Sequence, residues 1–422
     1  MRPGRISPLA AVVGGLSLAV PLQAEEPARP PIKLKVAIPL HSTVSTGTLE
    51  PYQIVRLAEE AGVDGVIFTD SAQRRWEYGL WPLRSLVKKV IEQPSVLTFG
   101  AERYLQVVHR LSAQSRVLAL PGLEVAPFYY WRRSPFDRLG GEIRGWSQHL
   151  LVFGLDDPQA IQRLPLEVDD PYHGDQGARP FQRLIDYVGG QGGLVFWAHP
   201  VTGHQGRYGV VEDYTEPYPH LLETTTRYQG FALTYVGYLF LADPGALWDQ
   251  LLLAYCRGTR PHPVWVIGEL DWRGPTERPL DMVVTEVLVT ERSPAAVLQG
   301  LRSGTMWVLF HTGARAPRLD QFELRDVQTQ AVATVGGWLA ATGPIHIHLA
   351  GYQDSDADHP ATLTLIRDGE VVEQRELREG RFDVEWSMEP PAHPGFYRVI
   401  VTGPSGFIYT NPVFVRSAAQ PH

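Results

Sequence analysis

Val36 to Ser71, VAIPLHSTVSTGTLEPYQIVRLAEEAGVDGVIFTDS, decides how this chain is read. Val36 to Leu40 is a short, largely apolar run with the character of a strand, and His41 follows it. After a polar loop, Pro51 to Ala61 places Ile54, Leu57, Ala58 and Ala61 on one helical face, opens on proline and stops at Gly62. Gly65 to Phe68 is a second strand, and it runs into Thr69 and Asp70. A strand, a helix and a strand with polar residues at the strand ends is the unit from which parallel sheets and barrels are assembled. The carboxyl ends of such strands are where barrel chemistry sits.

The same alternation extends to about Thr312. Further strands are expected at Val117 to Leu120, Leu150 to Phe153, Leu194 to Trp197, Gly230 to Thr234, Val264 to Ile267 and Val283 to Val289. Helical spacing recurs at Phe181 to Val188, Ala246 to Ala254 and Ser293 to Ser303, the last with a Ser-Pro cap and a stop at Gly304. This predicts an α/β fold with a mainly parallel sheet or barrel over 32–312. Two long segments, Pro127 to Trp146 and Val201 to Gln229, are rich in aromatic residues and glycine, and their length marks them as lids or binding loops. Past Gly313 the runs shorten and alternate: Ile345 to Leu349, Thr362 to Ile366, Val371 to Gln374, Phe382 to Trp386, Tyr397 to Val401 and Phe407 to Tyr409. That pattern predicts an antiparallel β-sandwich over 313–422.

Arg2 and Arg5, an apolar run from Ile6 to Leu22 and Leu22-Gln23-Ala24 have the order of a secretory signal over 1–24. We therefore expect an exported protein, periplasmic or secreted, with no membrane span once the signal is removed. The proline-rich stretch 25–31 is its linker. Cys256 is the one cysteine, so no intrachain disulfide is available. A formal charge of -8 disfavours nucleic acid as a partner, since that affinity comes mainly from basic residues. A small molecule or a glycan is the expected partner.

Six histidine or acidic residues stand where a barrel would gather its chemistry. His41, Asp70, Glu124, His199 and Asp271 each follow a predicted strand, whereas His149 precedes one. Histidine and carboxylate are the ligands of zinc, manganese and iron. Singly, an aspartate after a strand is usually a helix cap and a lone histidine a packed polar residue. Five on one edge argue for a shared site.

At these residues the chain resembles a degenerate member of the polymerase and histidinol phosphatase (PHP) superfamily, in the branch of the carbaryl-type carbamate hydrolases. The family's opening pattern D-L-H-x-H-T-x-x-S-D-G-T is similar to Ala37-Ile38-Pro39-Leu40-His41-Ser42-Thr43-Val44-Ser45-Thr46-Gly47-Thr48. Its T-D-H appears as Thr69-Asp70-Ser71, its P-G-x-E as Pro121-Gly122-Leu123-Glu124 and its G-H as Gln148-His149. Gly192 to Pro200 matches the strand ending in H-P, and Leu270-Asp271-Trp272-Arg273 aligns with S-D-x-H.

The resemblance implies a distorted (β/α)7-type barrel ahead of the sandwich, with up to three metals in the family's barrel. One site would be intact as Glu124, His149 and His199. A second would keep His41, Asp271 and the shared Glu124 and lose a histidine to Pro39. The third would be lost, with Thr46, Ser71 and Arg273 in ligand positions. The cofactor implied is one or two divalent ions, zinc, manganese or iron, or none. An ion at the intact site would lower the pKa of a water toward neutrality. Arg273 would bind an anionic group, and Asp70 or Asp271 would act as general base. The function implied is metal-dependent hydrolysis of a phosphoester, carbamate or related ester. The alternative is an inactive pseudoenzyme that binds a glycan or a partner.

Two further patterns imitate metal sites. His346-Ile347-His348 lies in an alternating run, so both histidines are expected on one face of a strand, toward solvent. Asp354, Asp356 and Asp358 begin like a calcium loop but lack its glycine and its closing glutamate, leaving a solvated turn.

Overall fold

The computed structural model describes residues 31–418, apart from 81, 85, 137, 139, 167–171, 234–238, 313–316 and 354–359. The signal segment, nearly all of the linker and the acidic turn at 354–358 lie outside the described residues. So does the chain immediately after the expected boundary at 312.

In chain order the elements up to that point are β1 (Ile32–Leu40), α1 (Pro51–Glu60), β2 (Gly65–Phe68), β3 (Arg74–Gly79), β4 (Lys88–Gln93), α2 (Val96–Phe99), α3 (Ala101–Gln114), β5 (Leu118–Val125), β6 (Tyr130–Arg133), β7 (Gly141–Arg144) and β8 (Leu150–Phe153). They continue with α4 (Pro158–Gln162), α5 (Arg179–Gly190), β9 (Leu194–Trp197), β10 (His204–Tyr208), β11 (Val211–Thr215), α6 (His220–Thr224), β12 (Gly230–Leu233), α7 (Leu247–Cys256), β13 (Trp265–Gly268), β14 (Val283–Val289), α8 (Pro294–Ser303) and β15 (Met306–His311).

Local chemistry sets the ends of these elements. Pro51 opens α1, Glu50 N–H donates to the Gln53 side chain at 2.9 Å, and Ile54, Val55 and Ala58 are buried. Ser293 caps α8 by accepting the Ala296 N–H at 3.1 Å, and Gly304, at φ 72°, ends it in the left-handed conformation.

The strands β13-β12-β9-β8-β5-β2-β1 follow one another in hydrogen-bonded order. Beyond β13 the chain returns to β1: Leu270 N–H donates to Ile38 O at 2.6 Å, Trp272 N–H to Pro39 O at 3.1 Å, and His41 N–H to Trp272 O at 2.9 Å. The two ends of the path therefore meet. The pairings along this path are mainly parallel, as expected, except at β8, which is antiparallel to both β5 and β9. The chain leaves β5 and re-enters through β8 at the same edge of the sheet, without the crossover a parallel neighbour requires. Gly122 allows the close packing there, since a Cβ would lie 2.8 Å from Phe68 O and 2.9 Å from the Phe153 ring.

The two long aromatic segments are also not loops. They contribute β6, β7, β10 and β11, a four-stranded sheet in the order β10-β11-β7-β6, beside the β3–β4 hairpin. This cap has its own apolar core of Trp76, Tyr129, Trp131, Ile143, Trp146 and Val211. The Trp131 indole N–H donates to Glu77 O at 2.8 Å and ties sheet to hairpin. Its outer face carries Arg133, Glu142 and Arg144 in ion pairs. Those charges, on strands only four or five residues long, hid the alternation from a reading of the sequence.

The remaining strands are β16 (Arg318–Asp326), β17 (Val332–Thr334), β18 (Trp338–Ala341), β19 (Ile345–Gln353), β20 (Ala361–Arg367), β21 (Glu370–Leu377), β22 (Gly380–Met388), β23 (Gly395–Gly403), β24 (Gly406–Thr410) and β25 (Val413–Ser417). One antiparallel sheet runs β17-β16-β19-β22. Another run, β24-β23-β20-β21, continues the first sheet through antiparallel pairing of β24 with β15. The Asn411 side chain reinforces that seam, accepting from Val266 N–H at 2.9 Å and donating to Met306 O at 3.1 Å. A fully buried Arg398–Asp249 pair at 2.7 Å links β23 to α7. On β19, His346 and His348 share the more exposed face, and His348 lies 3.0 Å from Asp383.

Candidate metal centre

Glu124, the last residue but one of β5, meets His149 and His199 at the edge where β5, β8 and β9 end. Because β8 runs backwards, the residue before it reaches the same edge as the residues after β5 and β9. Backbone pairing fixes the two histidines as neighbours, with Ala198 N–H donating to His149 O at 3.1 Å. Tyr218 clasps both segments: its hydroxyl accepts the His149 N–H at 3.3 Å and donates to Ala198 O at 2.7 Å.

His149 Nδ1 lies 3.2 Å from Glu124 Oε1 and 3.2 Å from His199 Nε2. One ligand atom from each of the three residues falls within 4.8 Å of the others. Those two spacings match the edge of about 3.3 Å expected for a tetrahedron with bonds of about 2.0 Å to zinc. Glu124 Oε1 is buried and has no aligned hydrogen-bond donor, although His149 is close. A buried carboxylate oxygen left in that state is costly unless something else binds it. The donor set, its spacing and this orphaned atom fit a divalent ion.

Glu269, fully buried, orients the site from behind. His199 Nδ1 is 2.9 Å from Glu269 Oε1, and the His199 N–H lies 3.2 Å from both Glu269 oxygens. This is the arrangement in which a carboxylate fixes the tautomer of a ligating histidine and leaves its other nitrogen facing the metal. Burial opposes a charge on His199, but Glu269 overcomes it and raises the imidazole to about 9. Burial in turn raises Glu269, with His199 offsetting part of it. For Glu124 burial also works against ionisation, yet the neighbouring His149 and His41 hold its carboxyl well below the usual range. His199 and Asp271 adopt positive φ, 28° and 44°. Such backbone strain in non-glycine residues concentrates at functional sites.

The structure places the other expected residues around this centre. His41 is fully buried, with Nε2 3.9 Å from Glu124 Oε1 and 3.5 Å from Asp271 Oδ1. Burial lowers its imidazole, but Glu124 and Asp271 leave it raised overall. Asp271 is drawn below the carboxylate range by His41 and Arg273 despite burial, and its Oδ2 sits 2.7 Å from the Arg273 guanidinium. Asp70 stands apart and does not line the cavity. Its carboxylate accepts from Ser42 N–H at 2.8 Å, Ser42 Oγ at 2.7 Å and Ser45 Oγ at 2.6 Å. Ser71 Oγ lies 3.4 Å from Glu124 Oε2.

Above the centre is a cavity of about 500 Å³. Arg74, Arg273 and Arg278 line its walls, and the cap supplies Trp146, His204, Tyr208 and Asp213. Trp146 and Tyr208 lie 5.3 Å apart. Burial pushes the Asp213 carboxyl up to about 6, although Ser147 Oγ donates to it at 3.2 Å. The sequence reading missed Glu269, Arg74 and the cap residues. A glutamate inside an apolar strand end, VWVIGEL, was the available signal for Glu269. The cap residues lie within the two long segments marked as lids or binding loops, which pointed to the region but not to individual side chains.

No protein-family model matches the chain, and no curated protein matches it. Among solved structures it is similar to a two-domain protein containing a predicted PHP-like metal-dependent phosphoesterase from Bacteroides vulgatus, at 15% identity and TM-score 0.43, over 94% of this chain and 100% of that one. A protein from Bifidobacterium adolescentis assigned as a metal-dependent phosphoesterase matches at 14% identity and TM-score 0.32, over 59% of this chain and 91% of that one. An amidohydrolase from Chromobacterium violaceum with bound sulfate and no metal matches at 13% identity and TM-score 0.31, over 57% and 88%. Likeness at this level bears on neither substrate nor catalytic residues.

Proposed function

We propose that this protein is an exported hydrolase of the PHP-like class, acting on a phosphoester, carbamate or related ester with one divalent ion held by Glu124, His149 and His199. The 3.2 Å spacings of these three residues beneath an arginine-lined cavity carry the reading. The sheet path that closes on itself suits the distorted barrel expected from the motifs, and export rests on the N-terminal pattern. When bound, the ion would supply an activated water and polarise the bond to be cleaved.

The chain's own residues do the rest. Glu269 holds the His199 ring in place, and Arg74 and Arg273 receive the anionic oxygens that grow in charge during ester cleavage. Asp271 orients the Arg273 fork and faces His41 across 3.5 Å. Of the two aspartates proposed as general base, Asp271 lines the cavity and Asp70 does not. The competing reading is a binding protein without turnover, favoured by the Asp271–Arg273 ion pair where the family would hold a further metal.

One experiment separates them. Aryl phosphates, phosphodiesters and aryl carbamates are assayed with added zinc or manganese, using the wild type and His199→Ala. Metal-dependent turnover lost in the variant supports the hydrolase. Identical background in both proteins sinks it.

A further inference from the structure

The β3–β4 hairpin has surface properties that neither the core nor the cavity uses. Leu80, Leu83, Leu86, Val87 and Val90 expose five large apolar side chains within eleven residues, with Leu86 79% exposed. Isolated apolar residues are ordinary on a protein surface, but a cluster of this kind marks a contact face. Backbone bonds fix the tip, with Leu80 N–H donating to Val87 O at 2.8 Å and Val87 N–H to Leu83 O at 2.8 Å.

The same segment is basic. Apart from Arg74, which faces the cavity, residues 75–93 hold Arg75, Arg84, Lys88 and Lys89 against Glu77 and Glu92, a net +2 in a chain of -8. Two of the chain's four lysines are here. Glu77 takes Arg75 at 2.5 Å and Lys88 at 3.0 Å, and Arg84 lies 4.0 Å over the Tyr172 ring. Lys89 is exposed and has no ion pair among the described residues. The base of the hairpin is rigid, because Trp76 belongs to the cap core and Gly79 N–H donates to Tyr172 OH at 2.5 Å.

Exposed leucines flanked by lysine and arginine are what an anionic lipid interface selects: the apolar groups enter the headgroup boundary while the cations meet phosphates. A purely apolar protein partner would leave the basic excess unused. We propose that the β3–β4 hairpin docks this protein peripherally on an anionic membrane surface through Leu80, Leu83, Leu86, Val87 and Lys89. No helix among the described residues is long and apolar enough to cross a membrane. Gln73 and Arg74, where the hairpin leaves the chain, line the cavity, so docking brings the cap of the site alongside the bilayer.

The test is co-sedimentation of the full chain with phosphatidylcholine vesicles, with and without phosphatidylglycerol, at low and high salt. Binding should need phosphatidylglycerol and weaken with salt. Lys89→Glu should lower affinity about twenty-fivefold, as two charge units near a surface count about fivefold each. Leu83→Ser with Leu86→Ser should lower it about tenfold or more. Both variants should keep the wild-type melting temperature and metal content, since the altered side chains lie outside the core. Equal binding to both vesicle types, or full binding by the variants, would overturn the proposal. So would a concentration-dependent dimer that the double serine variant dissolves, because the patch would then be a surface for a second copy.

Discussion

Two buried carboxylates near the cavity, Asp70 and Glu124, are satisfied in different ways. At the Asp70 end the polar groups form an internally satisfied network: three donors from Ser42 and Ser45 occupy the Asp70 carboxylate. At the Glu124 end, two histidines converge on a carboxylate oxygen that has no aligned donor, and a buried glutamate sets the angle of one ring. A polar cluster that has closed on itself has become structure. One that keeps an open, costly arrangement is held for something it binds.

The sharpest way to break this comparison is to set a histidine of the cluster against His41, which lies 3.9 Å from Glu124 Oε1. His199→Ala should lower metal affinity more than about hundredfold, because it deletes a ligand outright, whereas His41→Ala should still take up about one equivalent of zinc by titration calorimetry. Equal loss in both variants would mean that the ends form one site. A smaller effect is expected from Glu269→Gln, which keeps the ligand but weakens its anchor: about ten- to hundredfold in metal affinity, with the melting temperature of the metal-free protein as control. Asp70→Asn should do the reverse. It should cost about 2 kcal/mol in denaturant unfolding, through three weakened buried hydrogen bonds, and leave metal uptake unchanged.

The smallest effect is expected at the roof. An aspartate whose native carboxyl is raised to about 6 holds its proton more tightly folded than unfolded. Its ionisation therefore penalises the native state above about pH 6 and not below about pH 4. Asp213→Asn should raise the melting temperature at pH 7.5, corresponding to about 1 to 2 kcal/mol, and have no stabilising effect at pH 4. A gain of the same size at both pH values would rule out the carboxyl as its source.

How legible the molecule was in its sequence follows from this contrast. Glu124, His149 and His199 could be singled out because histidine and carboxylate are common metal ligands and strand ends supply positions for them. The placement of His149 ahead of its strand already contained the reversal of β8: a residue before one strand and a residue after its neighbour share an edge only if the two run oppositely. Asp70 looked equivalent to the others because sequence shows a residue type and not the partners of its oxygens. The cap was illegible for another reason. Its inward positions, such as Trp131, Ile143 and Val211, alternate with charged ones over spans too short to show a period, and glycine and proline between them imitate loop.

The way the cap is attached gives it a further significance. Its β6–β7 portion is inserted between Glu124 and His149, and its β10–β11 portion begins just after His199, with β7 and β11 pairing in parallel to join them, while the β3–β4 hairpin enters after Ser71. Two of the three insertions are thus bounded by a residue of the Glu124–His149–His199 cluster. The seating of the cap is therefore coupled to the geometry of that cluster, and a small core of its own, including Trp76, Trp131 and Trp146, holds the cap in place independently of the larger core.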